Sequence, residues 1–116
     1  MNGIINVYKE KGFTSHDVVA KLRGIFKQKK IGHTGTLDPD AVGVLPVCLG
    51  KGTGLVSMIT DWTKTYEAVM LLGTTTDTQD TSGNVLTKSV VDVDERTVLE
   101  VCSQFEGEYE QIPPMY

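Results

Sequence analysis

Apolar and polar positions along this chain change period several times, and each change marks an element. Gly3 to Tyr8 reads as a short strand in which Ile4, Ile5 and Val7 supply β-branched bulk. Lys9-Glu10-Lys11-Gly12 is a turn, after which Thr14 or Ser15 offers an N-cap and Asp17 sits in the first helical turn. Val18, Val19, Leu22, Ile25 and Phe26 follow at helical spacing and predict an amphipathic helix over 15–29. A strand is expected at 44–49, and Gly50-Lys51-Gly52-Thr53-Gly54 opens a second helix bearing Leu55, Met58 and Ile59. From Lys64 to Leu72 the pattern alternates, with Tyr66, Ala68, Met70 and Leu72 on one face, and predicts a strand. Thr74 to Asn84 lacks apolar residues and reads as a loop, and Val85 with Leu86 as a short strand. A third helix starts at Asp94-Glu95-Arg96 and presents Val98, Leu99, Val101, Cys102 and Phe105; Glu108 to Ile112 reads as a last strand. This order predicts a mixed α/β (α+β) domain whose mixed, largely antiparallel sheet carries flanking helices. There is no internal repeat, low-complexity tract or interdomain linker.

Between the first helix and the strand at 44–49 lies the densest punctuation in the chain. Gly32-His33-Thr34-Gly35-Thr36-Leu37-Asp38-Pro39-Asp40-Ala41-Val42-Gly43-Val44-Leu45-Pro46 holds three glycines, two carboxylates, a histidine and two prolines. It reads as a shaped loop mounted on a rigid strand, the usual placement for catalytic groups. Pro39 excludes the helical region for Asp38 and fixes its own φ, so one carboxylate is presented at a defined angle. Such a group can serve as nucleophile, general base or metal ligand. Asp38-Pro39 equally fits an N-cap followed by proline at the first helical position, and the residues by themselves leave both readings open. Asp40 is a candidate second ligand, but no third is spaced to join it, so no metal is expected. His33 alone fits a loop hydrogen-bonder, Tyr66 a core residue, and the Gly50–Gly54 run lacks the spacing of a phosphate cradle.

Composition narrows the class. The 116 residues, 40% apolar and 22% charged, suit one ordinary globular domain with a modest core. No apolar run approaches the ~20 residues needed to span a bilayer, and the N-terminus lacks the pattern of a signal peptide, so a cytoplasmic location is expected. Cys48 and Cys102, distant and without CxxC spacing, read as buried thiols. The net charge of −4 speaks against a polyanionic partner, but it is unevenly spread. Lys21, Arg23, Lys27, Lys29 and Lys30 fall in one ten-residue window, while seven of the fifteen acids lie between Asp92 and Glu110. The basic window fits a solvated helix face or a phosphate contact.

Taken together, these residues resemble the TruB-type tRNA pseudouridine synthases. Gly32 to Pro39, continuing through Gly43 to Gly50, resembles the family's catalytic-aspartate motif. Gly3 to Lys9 with Gly12 and Thr14-Ser15 resembles its N-terminal motif, and Lys64-Thr65-Tyr66 the motif of its active-site tyrosine. Thr76-Asp77-Thr78, Asp80, Gly83 and Gln111-Ile112-Pro113-Pro114-Met115-Tyr116 also fit, so the resemblance covers essentially the whole chain. The resemblance implies an incomplete pseudouridine synthase fold and isomerisation of a uridine in the T arm of tRNA, without cofactor or metal. It gives Asp38 the catalytic role and Tyr66 a place stacked on the flipped base, assisting loss of the proton from carbon 5. It has His33 help the uridine leave its stack and places Gly32, Thr34, Gly35, Thr36 and Lys9 against the substrate.

Relatives of this kind continue with an RNA-gripping insertion, an arginine that pairs with the aspartate, and usually an RNA-binding domain. The chain therefore reads as the N-terminal part of one catalytic domain, with no second domain, in which Asp38 lacks its cation. Little or no turnover is expected of it alone, and its uncovered sheet edges favour self-association. A non-catalytic RNA-binding or RNA-folding module that keeps the synthase frame is the alternative.

Overall fold

Alternation in the first strand, β1 (Gly3–Lys9), turns Gly3, Ile5, Val7 and Lys9 toward one face and Ile4, Asn6 and Tyr8 toward the other. Lys9 thus takes the inward position next in line after two apolar residues and is fully buried. The computed structural model describes residues 1–113. They fall into two compact units, Met1–Thr65 and a second beginning at Tyr66. Pro114-Met115-Tyr116, the end of the last resembling motif, lies outside the described residues.

In the first unit β1 leads to helix α1 (Ser15–Phe26), then to strands β2 (Ile31–His33) and β3 (Gly43–Leu49). β3 lies between β1 and β2 and is antiparallel to both. The register runs from Gly3↔Leu49 to Lys9↔Gly43 on one side and from Ile31↔Leu49 to His33↔Val47 on the other. β1 and β2 therefore run the same way with α1 as the crossover, and the sheet has two distinct ends. One collects the end of β1, the start of α1, the end of β2 and the start of β3; the opposite end collects the remaining termini. Val18 and Val19 from α1, Ile31 from β2, and Leu45, Val47 and Leu49 from β3 form the core, backed by Ile5, Val7, Phe13, Leu22, Phe26 and Leu37. After β3 a 3-10 stretch (Gly50–Leu55) runs into the short helix α2 (Val56–Thr60), which buries Ile59.

Several expectations are corrected. α1 stops at Phe26 rather than 29, because Lys27 adopts a left-handed conformation (φ 51°) and ends the helix. Ile25 lies at the edge of the apolar stripe and is exposed. Gly32 and His33 are not loop but the end of β2, since the adjacent central strand offers them a ladder. In the Gly50–Gly54 run, a side chain on Gly52 would run into the carbonyl oxygen of Gly3, and one on Gly50 into that of Met1, 2.6 Å away. These glycines answer the close approach of β1, not a phosphate.

The second unit contains a hairpin of β4 (Thr74–Thr76) and β5 (Val85–Lys88), followed by helix α3 (Glu95–Ser103). Thr74–Thr76 is strand rather than loop because the threonines pair with 85–88, the Thr75 and Thr87 hydroxyls meeting at 2.5 Å. α3 starts where the sequence predicts, and Asp94 caps it by accepting from the Thr97 N–H at 2.8 Å. Lys64 to Leu72 and Glu108 to Ile112 form no ladder among the described residues. Alternation supplies a face, but a strand also needs a neighbour for its N–H and C=O groups. The apolar side of α3 is accordingly uncovered, and Cys102 is exposed rather than buried. No helix among the described residues is long and apolar enough to cross a membrane.

Candidate functional site

The loop between β2 and β3 is fastened at three successive points. Thr34, itself buried, donates its N–H (3.1 Å) and its hydroxyl (2.9 Å) to the carbonyl of Pro46. Leu37 sends its side chain against the core and its N–H to Ser15 Oγ at 2.9 Å. The carbonyl of Pro39 accepts from the Gly12 N–H at 2.7 Å and from Lys9 Nζ at 3.4 Å. Between the last two anchors stands Asp38, whose carbonyl accepts from Ala41 N–H at 2.9 Å to close a tight turn. The Asp38 side chain is exposed, and no described residue hydrogen-bonds or ion-pairs with its carboxylate. Backbone, not side-chain contacts, fixes its position. That leaves the carboxylate free for a ligand.

Lys9 and Ser15 are the groups beneath this loop. The Lys9 ammonium donates to three carbonyls, those of Phe13 (2.6 Å), Glu10 (3.0 Å) and Pro39 (3.4 Å), which uses all three of its donors. Ser15 is free to hold Leu37 because Thr14 is the N-cap. Asp17 N–H donates to Thr14 Oγ1 at 3.0 Å while Thr14 N–H donates to Asp17 Oδ2 at 2.9 Å. Those bonds hold the Asp17 carboxyl below the usual aspartate range. The role of Ser15 was not read from the sequence. The signal was the Thr-Ser-His-Asp spacing, which names Thr14 as the cap and leaves Ser15 over.

His33 is half-buried at the end of β2, and its Nδ1 is buried without a hydrogen-bond partner among the described residues. Such an atom carries a desolvation cost that calls for an explanation. Gly32 backs onto Val56, whose Cγ2 would lie 3.4 Å from an added Cβ, and Thr36 is exposed. Gly35 lies near the stem of Lys64. Asp40 faces Lys11 at 4.0 Å with both side chains exposed, a pair of little energetic weight. No three His, Cys, Asp or Glu side chains converge among the described residues. Lys9, His33, Thr34, Gly35, Thr36 and Asp38 thus share one end of the first sheet. Tyr66 belongs to the second unit, where it is 69% exposed instead of packed in a core.

In the second unit, Asp77 and Asp80 knit the hairpin loop. Asp80 accepts from Thr78 Oγ1 (2.7 Å), Ser82 N–H (2.8 Å) and Ser82 Oγ (2.5 Å), which keeps its carboxyl below the usual range. Asp77 receives the backbone and side-chain amides of Asn84 at 2.8 and 3.1 Å. A side chain on Gly83 would collide with Thr78 Oγ1 and Asp77 Oδ1.

Comparison with known proteins supplies a family. The TruB family pseudouridylate synthase (N terminal domain) matches residues 23–116. Over 116 residues the chain is 66% identical to tRNA pseudouridine synthase B of Lachnoclostridium phytofermentans, covering 100% of this chain and 38% of that protein. It is 54% identical to tRNA pseudouridine synthase B of Staphylococcus epidermidis, covering 99% of this chain and 39% of that one. The chain thus spans well under half the length of these relatives. A chain from the crystal structure of a Cbf5-Nop10-Gar1 complex superposes with a TM-score of 0.66 at 35% identity, over 97% of this chain and 29% of that one. A chain of an H/ACA RNP bound to a substrate RNA containing 2'-deoxyuridine gives 0.65 at 34% identity, over 96% and 30%.

Proposed function

We propose, because the chain belongs to the TruB family of pseudouridylate synthases, that its natural protein isomerises a uridine of tRNA, in the T arm, to pseudouridine. In this reading the bond from ribose to the base nitrogen breaks, the uracil turns, and a bond forms from ribose to carbon 5, which gives up its proton while the freed nitrogen takes one up. No atom is gained or lost, so no external reductant or oxidant enters the balance.

Asp38 is the catalytic carboxylate of this reading. The observation that carries it is an exposed aspartate, free of side-chain partners, on a loop pinned on both sides to α1 and β1. A carboxylate held by its backbone meets a reacting centre without first breaking a bond of its own. Tyr66 provides a stacking surface for the extruded base, in keeping with its exposure. His33, half-buried at the same end of the sheet, helps the uridine leave its stack. Lys9 and Thr34, with their polar atoms given to carbonyls, position the loop rather than meet the substrate. Thr36 and the glycines line the approach.

The test is Asp38→Asn in the natural, full-length protein, assayed for pseudouridine in a tRNA transcript. Loss of product with RNA binding retained is the expected result. Undiminished product sinks the assignment, and an RNA effect independent of Asp38 favours the non-catalytic module. The exposed apolar residues of the second unit, Val69, Val90 and Ile112 among them, support the reading that residues 1–116 on their own self-associate.

A further inference from the structure

Charge is divided between the two units. Met1–Thr65 carries nine of the eleven basic residues and five of the fifteen acids, whereas the remainder carries two and ten. Within the first unit the two ends of the sheet differ in charge. The Asp38 end is mixed, with Glu10, Asp17, Asp38 and Asp40 beside Lys9 and Lys11, because β1 ends there, α1 starts there and the loop lies there. Lys27, Lys29, Lys30 and Lys51 stand at the opposite end. The contacts that place them are independent of one another. Gly50 N–H donates to the Lys30 carbonyl at 2.7 Å, Lys51 N–H to Asn2 Oδ1 at 2.7 Å, and Gln28 Nε2 to the Met1 carbonyl at 2.9 Å. The turn after α1 and the turn after β3 are thereby fastened to the same strand start. All four lysines are exposed, and none is ion-paired among the described residues.

Helix-dipole compensation does not account for this group. It favours a cation within the last turn, and Arg23 already occupies that place in α1. Lys29, Lys30 and Lys51 lie beyond the helix. Four like charges gathered on turns repel one another, a cost removed when a polyanion binds. β3 spans six residue steps between the two ends, about 20 Å at the usual strand rise.

We propose that the lysine end of the first sheet, Lys27, Lys29, Lys30 and Lys51, is a phosphate-backbone grip for RNA, set about 20 Å from the Asp38 loop. It holds the nucleic acid at a point distant from the reacting nucleotide and reads no base. This deepens, and rests on, the reading of the protein as an RNA-modifying enzyme.

The experiment replaces the four lysines by glutamine in the natural, full-length protein, with a four-arginine variant as the charge-preserving control. Binding of a tRNA transcript is measured across a salt series, alongside pseudouridine formation at saturating RNA. The glutamine variant is expected to bind at least ~10-fold more weakly near 0.1 M salt, with the slope of log affinity on log salt shallower by about 2 to 4. KM rises with it while kcat holds, and the arginine variant behaves as the parent. An unchanged affinity and salt slope overturns the proposal, as does a loss of kcat with affinity intact. If the unaltered protein forms no pseudouridine, the functional reading fails, and the salt slopes still decide whether this end grips RNA.

Discussion

Lys9 and Pro39, thirty positions apart, meet through one hydrogen bond: the buried lysine Nζ donates to the proline carbonyl at 3.4 Å. The same ammonium holds the carbonyls of Glu10 and Phe13, so one side chain joins the end of β1, the approach to α1 and the residue that follows Asp38. Lys9→Gln shortens the side chain and removes the charge, leaving carbonyls short of a donor. Hydrogen bonds to charged groups are each worth about 1.5–3 kcal/mol. In the natural, full-length protein a loss of about 2–4 kcal/mol in urea unfolding is expected, with at least ~10-fold lower kcat at saturating RNA if it is the proposed synthase. Full activity in a folded Lys9→Gln protein would separate the loop from its support.

Thr14 and Ser15 are adjacent hydroxyls with different duties. In the same full-length protein Thr14→Ala removes a helix cap and should cost about 1 kcal/mol of stability, with kcat preserved below the melting range. Ser15→Ala strips the acceptor from the Leu37 N–H. It is expected to cost about 1–3 kcal/mol and also to lower kcat, since the segment leading to Asp38 is released. Matched kcat values for the two variants would count against Ser15 as the loop's anchor.

The capping box also sets a response to acid. The Asp17 carboxyl is held below its ordinary value, chiefly by the Thr14 backbone N–H and then by its hydroxyl. The folded state therefore binds fewer protons than the unfolded state, and stability rises with pH across this window. The contribution is complete above about pH 4–5 and disappears as pH falls through the lowered folded value. Denaturation midpoints from about pH 2.5 to about pH 6 should show a shallower acid limb for Asp17→Asn than for the parent. Parallel acid limbs would refute this.

Gly52 and Gly54 belong to the same 3-10 stretch but face different surroundings. An added methyl at Gly52 presses on the carbonyl oxygen of Gly3, whereas one at Gly54 meets open space. Gly52→Ala is expected to lower stability by about 1–3 kcal/mol by pushing β1 away. Gly54→Ala should lie within about 1 kcal/mol of the parent, on either side. Equal melting temperatures for the two would mean that β1 yields.

Where the chain forms local contacts, its elements can be read directly. The Thr14–Asp17 box, the stripe of Val18, Val19, Leu22 and Phe26, and the Asp94 cap all close within a few residues. The shaped loop is legible too, because Pro39 and the glycines act on the backbone itself. What escapes is whatever depends on a distant partner. Gly32 and His33 become strand only because Cys48 and Val47 lie beside them. Tyr66 to Leu72 alternates as a strand does, yet no described neighbour completes it. Lys9 hides for another reason. Its charge suggests the surface, while its phase behind Ile5 and Val7 sends it inward.

The two thiols end in opposite circumstances. Cys48 is fully buried on the central strand, and burial pushes its pKa up, while Cys102 is exposed on α3. A maleimide dye consequently finds one address, in the second unit, and leaves the first untouched. This chain thereby carries a built-in labelling handle that needs no engineered cysteine.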